Sequence, residues 1–171
     1  MSDRVQKLAR LALLLALAVV IHTAEALLPV TAVWFRFGFA NIIGLATLYL
    51  FGFKDALLLT LGRVFVASLI SGAFGSPAFL LSLAGSVTAM LAMGLAHWLG
   101  PRILSPVGIS VIGAVTHNSA QLVLAYLIIV HNEAVFLLLP LMILAAVATG
   151  CLNGLATRFF VDHFRKVAHM A

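Results

Sequence analysis

The chain has 171 residues, of which 64% are hydrophobic and only 9% are charged. Soluble domains carry about one quarter charged residues, so this composition excludes a water-soluble globular protein and indicates an integral membrane protein. The net charge of +5 does not indicate nucleic-acid binding, because proteins that read nucleic acids usually carry their basic face on a soluble fold.

Six apolar stretches predict an all-α integral membrane bundle of six transmembrane helices in a single domain. Most stretches are close to the roughly 20 residues that an α-helix needs to cross the hydrocarbon core. The second stretch is short, as expected for a tilted or broken helix, and no long Pro, Ser or Gly linker divides the chain. The predicted spans cover about residues 8–28, 38–53, 55–75, 77–99, 106–130 and 134–157.

The distribution of the 10 Lys and Arg residues predicts that both termini are cytoplasmic. Short basic loops resist translocation, so cations mark the inner side of a bacterial cytoplasmic membrane. With six spans, only Arg36 lies in an outer segment, and Arg63 lies within the third span. The remaining cations all fall in cytoplasmic segments: Arg4, Lys7, Arg10, Lys54, Arg102, Arg158, Arg165 and Lys166.

The first span carries a stripe of small residues. Ala9, Ala12 and Ala16 recur at helical spacing, and small residues let membrane helices approach closely. This stripe either packs inside the bundle or contacts a separate membrane protein. The basic start and the sequence at 24–26 also resemble a cleavable signal peptide, whose removal would leave five spans in the same orientation.

Polar residues gather around the outer ends of the first two spans. His22 and Glu25 are three positions apart and therefore share a helix face. The connection that follows holds Trp34 and Arg36, and Asn41 lies near the start of the second span. Trp34 is either an interfacial anchor or part of a lid over an outward-facing pocket that these residues line.

Arg63 lies near the middle of the third span. An unpaired arginine in hydrocarbon is costly, so we expect it to face the bundle interior and to meet an anion. Three alternatives are open: Arg63 pairs with Glu25, it is satisfied by backbone carbonyls, or it binds the phosphate or carboxylate of a ligand. Beyond the outer turn at 75–77, Ser82 and small neighbours leave room either for a ligand or for close helix packing.

The fifth span contains three hydrogen-bonding side chains within five residues. His117 and Gln121 are four apart and share a helix face, whereas Asn118 lies about 100° around the helix. They either form hydrogen bonds between helices or bind a ligand. Because amide and imidazole groups offer both donors and acceptors, they suit a heteroaromatic ring or a polyol.

The last span is predicted to pack inside the bundle, and the remaining sequence features indicate neither a zinc site nor an ATPase. Ala146, Gly150 and Gly154 recur four apart and predict close packing inside the bundle. Cys151 is the single cysteine and is expected to pack, and the scattered histidines form no zinc-binding pattern. The chain contains no Gly-x-x-x-x-Gly-Lys-Ser/Thr loop, so any ATP hydrolysis must come from another subunit.

Motifs in the second to fifth spans resemble one membrane protein family. They are Arg-Phe-Gly-Phe-Ala-Asn-Ile at 36–42, Arg63, Ser-Pro-Ala-Phe-Leu-Leu-Ser-Leu-Ala-Gly at 76–85, and Gly108-x-Ser110-x-x-Gly113-Ala114-x-x-His117-Asn118-x-x-Gln121. This combination is similar to the Gx transporter family, also labelled the heptaprenyl diphosphate synthase component I family, over about residues 29–154. That family more often has lysine where Arg36 stands, which keeps the charge but changes the hydrogen-bond geometry.

The two family labels imply different classes of function. Prenyl diphosphate synthases hold magnesium diphosphate with aspartate-rich motifs, whereas this chain has only 5 acidic residues, no two of them adjacent. We therefore expect no catalytic residues, no metal site and no cofactor of its own. The prenyl label leaves an alternative function, a noncatalytic membrane subunit that helps to handle a polyprenyl diphosphate.

The transporter label implies a resemblance to the substrate-capture subunits of energy-coupling-factor transporters. Their first helices meet a membrane scaffold through alanine-rich faces, which would assign Ala9, Ala12 and Ala16 to a scaffold that works with ATPase subunits. Family members also look like companions of flavin transferases that modify extracytosolic proteins. We therefore expect a transport subunit for a small anionic, partly aromatic solute, with riboflavin, FMN or FAD as first choice. The residues expected to bind it are His22, Glu25, Trp34, Arg36, Asn41, Arg63, Ser82, His117, Asn118 and Gln121.

Overall fold

A computed structural model describes the backbone of residues 3–27, 38–100 and 103–170, and the side chains of 4–25, 38–100 and 103–166. All regular elements within these residues are helical, which confirms the predicted all-α class. The α-helices of the described chain are α1 (Asp3–Leu27), α2 (Ala40–Phe51), α3 (Phe53–Ile70), α4 (Pro77–Leu99), α5 (Pro106–Ala125) and α6 (Leu139–Met170). A π-helical segment (Tyr126–Val130) and a 3₁₀ helix (Glu133–Leu138) connect α5 to α6.

Two of the differences from the predicted spans concern the ends of α3 and α6. The third helix stops at Ile70 instead of near residue 75, and Gly72 and Gly75 after it adopt φ values of 68° and 76° that do not continue a helix. The last helix continues to Met170, well past residue 157. Hydropathy detects only the apolar part of a helix, and the charged continuation of α6 is also helical.

Serine caps fix the starts of the two helices that carry most of the predicted motifs. The Ser76 Oγ accepts a hydrogen bond from the N–H of Phe79 at 3.3 Å, and the Ser105 Oγ accepts one from the N–H of Gly108 at 3.2 Å. A proline follows each serine at the first helical position, where its missing N–H does no harm. These caps define where α4 and α5 begin.

Not every helix is equally suited to cross a membrane. The part of the chain that the structure describes has 4 helices that are long and apolar enough: Arg4–Glu25, Pro77–Leu99, Pro106–Val130 and Glu133–Lys166. The second helix is apolar but has only 12 residues, and α3 carries Lys54, Asp55 and Arg63. Six membrane crossings and cytoplasmic termini therefore stay predictions.

The short α2 lies at the centre of the bundle and contacts α1, α3, α4 and α6. The α5 helix packs between α4 and α6, whereas α1 packs mainly on α2 and α3. Leu45 and Leu48 of α2 pack with Met90 and Met93 of α4 and Ile109 of α5 in a buried core. This core anchors α2, α4 and α5 to one another.

Small residues let α6 approach α5 closely. A Cβ atom at Gly154 would lie 2.5 Å from the Cα of Val107, and one at Gly150 would lie 2.8 Å from the Cα of Val111. Ala146 is fully buried. The predicted close packing of the last span inside the bundle is therefore confirmed, because these backbones nearly touch.

Two polar contacts bring three basic segments to the same end of the bundle. The Lys7 Nζ lies 2.6 Å from the Asp55 Oδ2, which joins the start of α1 to the start of α3. The Arg165 Nη2 donates to the carbonyl oxygen of Tyr49 at 3.4 Å, which joins the end of α6 to the end of α2. The charge rule predicts that this shared end is cytoplasmic.

We expect cysteine labelling to verify this orientation. Asn132 and Lys54 are both exposed and lie in segments predicted to be outside and inside, respectively. In a Cys151→Ser background, Asn132→Cys should react with a membrane-impermeant maleimide on intact cells, whereas Lys54→Cys should react only after permeabilisation. The reverse labelling pattern would place every proposed site on the opposite side of the membrane.

Candidate functional site

A small polar cavity of about 20 Å³ lies within the bundle, near the end of α1 and the start of α2. Its lining residues are His22, Glu25, Gly38, Asn41, Arg63, Ser82, Ser86, His117 and Gln121, so α1 to α5 all contribute. Seven of the ten residues expected to bind a ligand therefore meet around one space: His22, Glu25, Asn41, Arg63, Ser82, His117 and Gln121. Their common location is observed, and their binding role remains a prediction.

Arg63 supplies a fixed positive charge to the polar cavity. Its side chain is only 3% exposed, as expected for an arginine that faces the bundle interior. The Arg63 Nη2 donates a hydrogen bond to the Ser86 Oγ at 3.0 Å. This bond fixes one edge of the guanidinium group against α4. Because arginine stays protonated under all ordinary conditions, the charge is permanent.

Glu25 is buried in the part of the cavity wall that α1 forms, and Gly38 contacts it. The Glu25 Oε1 accepts a hydrogen bond from the N–H of Gly38, and the Nδ2 of Asn153 donates to the carbonyl oxygen of Gly38 at 3.2 Å. Gly38 has a φ of 71°, a conformation that favours glycine. The residue thus connects α1 to α6 at the start of α2. Asn153 was not predicted as a site residue, because contacts between residues so far apart in the chain cannot be read from spacing.

His117 and Gln121 extend from α5 towards α4 at a position where α4 has no side chain. A Cβ atom at Gly85 would lie 2.9 Å from the Cε1 of His117 and 2.9 Å from the Cγ of Gln121. Glycine at this position therefore makes the space in which both side chains sit. The structure confirms that His117 and Gln121 share one helix face.

Three residues expected to bind a ligand are not seen at the polar cavity. Asn118 is buried and its Nδ2 donates to the carbonyl oxygen of Met142 at 3.1 Å, so it connects α5 to α6. The expected convergence of Asn118 with Arg63 is therefore corrected, because its offset around α5 turns it towards α6. Trp34 and Arg36, with the predicted lid, lie outside the residues that the structure describes.

A second small cavity of about 30 Å³ adjoins the polar cavity, since His22 and Ser82 line both. Its other walls are Thr23, Val64, Ala67, Ser68, Ser71, Ala73, Ala78 and Phe79. The buried Oγ1 of Thr23 has no hydrogen-bond partner in the described chain. Sites for drug-sized ligands measure about 300–1,000 Å³, so a solute of flavin size would fit into these two cavities only if the surrounding helices moved apart.

An apolar groove of about 480 Å³ runs along the other side of α4. It is lined by Leu61 and Phe65 of α3, by Leu80, Leu83, Ala84 and Val87 of α4, and by Leu124 of α5. At about 100° per residue, these α4 positions face away from Ser82 and Ser86. The α4 helix therefore separates the apolar groove from the polar cavity.

The alanine stripe of α1 lies on the surface of the bundle. Ala9, Ala12 and Ala16 are all exposed, as are the neighbouring Leu13 and Val20. The stripe therefore does not pack inside the described bundle. It is open to lipid or to a second protein.

The comparisons with known proteins give one match. The family model of heptaprenyl diphosphate synthase component I matches residues 14–160, a range that includes every described residue lining the polar cavity. No curated protein and no solved structure gives a significant match. Because the matched range covers most of the chain, the protein belongs to the heptaprenyl diphosphate synthase component I family.

Proposed function

We propose that the protein is a noncatalytic membrane transport subunit that binds and translocates a small anionic, partly aromatic solute. The observation that carries this proposal is the buried Arg63 at a polar cavity inside an apolar bundle. Ionisable side chains at membrane depth are expensive, and they usually mark a path or binding site for a polar solute.

The chemistry of the cavity favours a phosphate or carboxylate group on the solute. The guanidinium group of Arg63 is planar and carries five N–H donors, which match such groups better than a lysine ammonium does. Its hydrogen bond to the neutral hydroxyl group of Ser86 orients the group against α4. The solute would therefore place its anionic end at Arg63.

The remaining walls favour a ring with several donors and acceptors. Asn41, His117 and Gln121 approach from α2 and α5, and each side chain can both donate and accept hydrogen bonds. A flavin combines such a ring with a hydroxylated chain and, in FMN and FAD, with phosphate. We therefore propose riboflavin, FMN or FAD as the solute, supplied for the flavinylation of extracytosolic proteins by a flavin transferase.

Transport of this kind needs an energy source, and the chain contains no ATP-binding loop. The exposed stripe of Ala9, Ala12 and Ala16 suits close contact with a membrane scaffold that works with ATPase subunits. Such a scaffold would approach α1 from the side that faces away from α2 and α3. The inner membrane of a bacterium is the location that this arrangement implies.

The second candidate is a noncatalytic subunit that helps to handle a polyprenyl diphosphate. The family description and the apolar groove favour it, because a prenyl chain needs a long apolar surface. However, α4 separates that groove from Arg63. A prenyl diphosphate could contact both only by passing around α4, and the amides of the polar cavity would not suit its hydrocarbon tail.

Thermal unfolding of the purified protein separates the two candidates. We expect FMN to raise the melting temperature in a concentration-dependent way, because it binds only the folded state. At 100 times its dissociation constant, the gain in free energy of unfolding would be about 2.7 kcal/mol. Heptaprenyl diphosphate should give little or no shift. A clear preference for heptaprenyl diphosphate over FMN and riboflavin would favour the second candidate instead.

A further inference from the structure

The second cavity exists because small side chains of α3 and α4 face each other. Residues three or four positions apart share a helix face, and the lining residues follow this spacing on both helices. They are Ala67, Ser68 and Ser71 on α3, and Ala78 and Ser82 on α4. These short side chains leave a space of about 30 Å³ between the helices. A water molecule needs roughly 10–15 Å³ of such space, so the cavity has room for about two.

The wall that α1 contributes holds a buried hydroxyl group without a hydrogen-bond partner. Other threonines of the bundle donate to a carbonyl oxygen one helical turn earlier, as Thr47, Thr116 and Thr157 do. The buried Thr23 Oγ1 makes no such bond and has no other partner within the described residues. An unsatisfied buried hydroxyl group is costly, so Thr23 requires a partner inside the cavity.

The serines of α3 offer the other half of the missing hydrogen bonds. The Ser68 Oγ donates to the carbonyl oxygen of Phe65 at 2.8 Å, and the Ser71 Oγ donates to the carbonyl oxygen of Ser68 at 3.3 Å. Each hydroxyl group therefore uses its one proton within α3, while its oxygen keeps lone pairs that can accept. Thr23 does not bond to either serine directly. Water suits this gap, because it accepts from Thr23 and donates to a serine oxygen at the same time.

The composition of the wall favours water over other small ligands. Among the described residues that line the second cavity, only His22 can ionise. A cation would therefore meet no carboxylate from these residues, and an anion would meet no lysine or arginine. An apolar ligand would leave the hydroxyl group of Thr23 unsatisfied.

The second cavity lies between the surface of the bundle and the polar cavity. Ser71, the residue that follows α3, lines the second cavity and is exposed. Ser82 lines both cavities, and Ser86, one turn further along α4, accepts the hydrogen bond from Arg63. Water in the second cavity would therefore lie between the exposed end of α3 and the buried guanidinium group.

We infer that the second cavity binds ordered water, which bridges Thr23 to the serines of α3 and connects the surface beside Ser71 with the polar cavity. The inference concerns the hydration of the bundle and does not depend on which solute the protein carries. Charged side chains at membrane depth usually face the bundle interior or water-filled space. The bound water thus hydrates the surroundings of Arg63 from the end of the bundle where α3 stops.

X-ray radiolysis of the purified protein detects such water, because hydroxyl radicals form from bound water and oxidise the side chains beside it. Phe79 is the reporter, since it lines the second cavity and is only 8% exposed. Met90 is the matched control, because it is 1% exposed within a hydrophobic core and methionine reacts faster with radicals than phenylalanine does. We expect Phe79 to be oxidised and Met90 to stay intact. After rapid mixing with water enriched in a heavy oxygen isotope, Phe79 should carry that isotope, because the cavity water exchanges with the solvent.

Two variants show whether the radicals come from water in the second cavity. Ala67→Val places two methyl groups in the cavity and should reduce the oxidation of Phe79 to the level of Met90. Thr23→Val keeps the shape of the side chain but removes the hydroxyl group that binds the water, so oxidation of Phe79 should fall here as well. Phe74, which is 52% exposed, should be oxidised equally in all three proteins and reports the radical dose.

Contrary results separate the parts of this inference. A Phe79 that stays as intact as Met90 would show that the second cavity holds no water and would overturn the inference. Oxidation that Ala67→Val leaves unchanged would also overturn it, because the radicals would then form elsewhere. Incorporation of only the ordinary isotope would contradict the connection to the surface. Should Ala67→Val fail to fold, Thr23→Val gives the same comparison without added volume. None of these measurements uses FMN, so the transport proposal stands or falls separately in the thermal unfolding experiment.

Discussion

Replacing Arg63 with alanine is expected to abolish FMN binding while the bundle remains folded. The substitution removes the positive charge that is fixed and buried at the polar cavity. Loss of one member of a buried, hydrogen-bonded charge pair usually weakens binding by about 2–5 kcal/mol, which is at least a roughly 30-fold loss of affinity. Titration of FMN fluorescence against purified protein measures the change directly.

Two further variants show whether the geometry or only the charge of Arg63 matters. Arg63→Lys keeps the charge but loses the planar fork, so we expect affinity between those of the unmodified protein and Arg63→Ala. Arg158→Ala changes the net charge equally at an exposed position and should bind FMN normally. If Arg63→Ala unfolds in detergent, structural pairing of Arg63 within the bundle becomes the better explanation. If it folds and binds normally, the proposed anion site is wrong.

The second large effect is expected at the contact between α5 and α6. Gly154→Ala would place a Cβ atom 2.5 Å from the Cα of Val107, and backbone cannot move away as a flexible side chain can. Overpacking of this kind typically destabilises a protein by about 1–3 kcal/mol. The higher helix propensity of alanine offsets at most about 1 kcal/mol of this destabilisation. We therefore expect a clear fall in the melting temperature.

Gly62→Ala is the matched control for this prediction. A Cβ atom at Gly62 would meet the Cδ1 of Leu15 at 3.3 Å, and that methyl group can rotate aside. The packing cost at this position is therefore small, and alanine has a higher helix propensity than glycine. The melting temperature should stay constant or rise slightly. Equal destabilisation by Gly62→Ala and Gly154→Ala would contradict the close backbone approach of α5 and α6.

The membrane environment explains why several site residues were predictable from sequence. Polar side chains within an apolar span have to face the interior, and this rule alone brings Arg63, His117 and Gln121 together. The predicted fourth span coincides with α4, since Ser76 and Pro77 mark its start. Hydropathy and helix caps are local signals, so they need no knowledge of distant contacts.

Other features depend on distant contacts that spacing cannot reveal. Asn118 is one position from His117, but a rotation of about 100° is enough to turn it from the cavity to α6. The link from Asn153 through Gly38 to Glu25 joins three separate segments of the chain. Ser86 is one of several serines in its region, and only the packing of α3 on α4 selects it as the acceptor for Arg63.

The central claim is that the polar cavity binds an anionic flavin, and an experimental structure of the protein with bound FMN tests it most directly. We expect the phosphate at hydrogen-bonding distance from the guanidinium group of Arg63, with the ring reaching His117 and Gln121. The solute should extend into the second cavity beside His22 and Ser82. FMN bound elsewhere, or a diphosphate at Arg63 with its prenyl chain in the apolar groove, would contradict the claim.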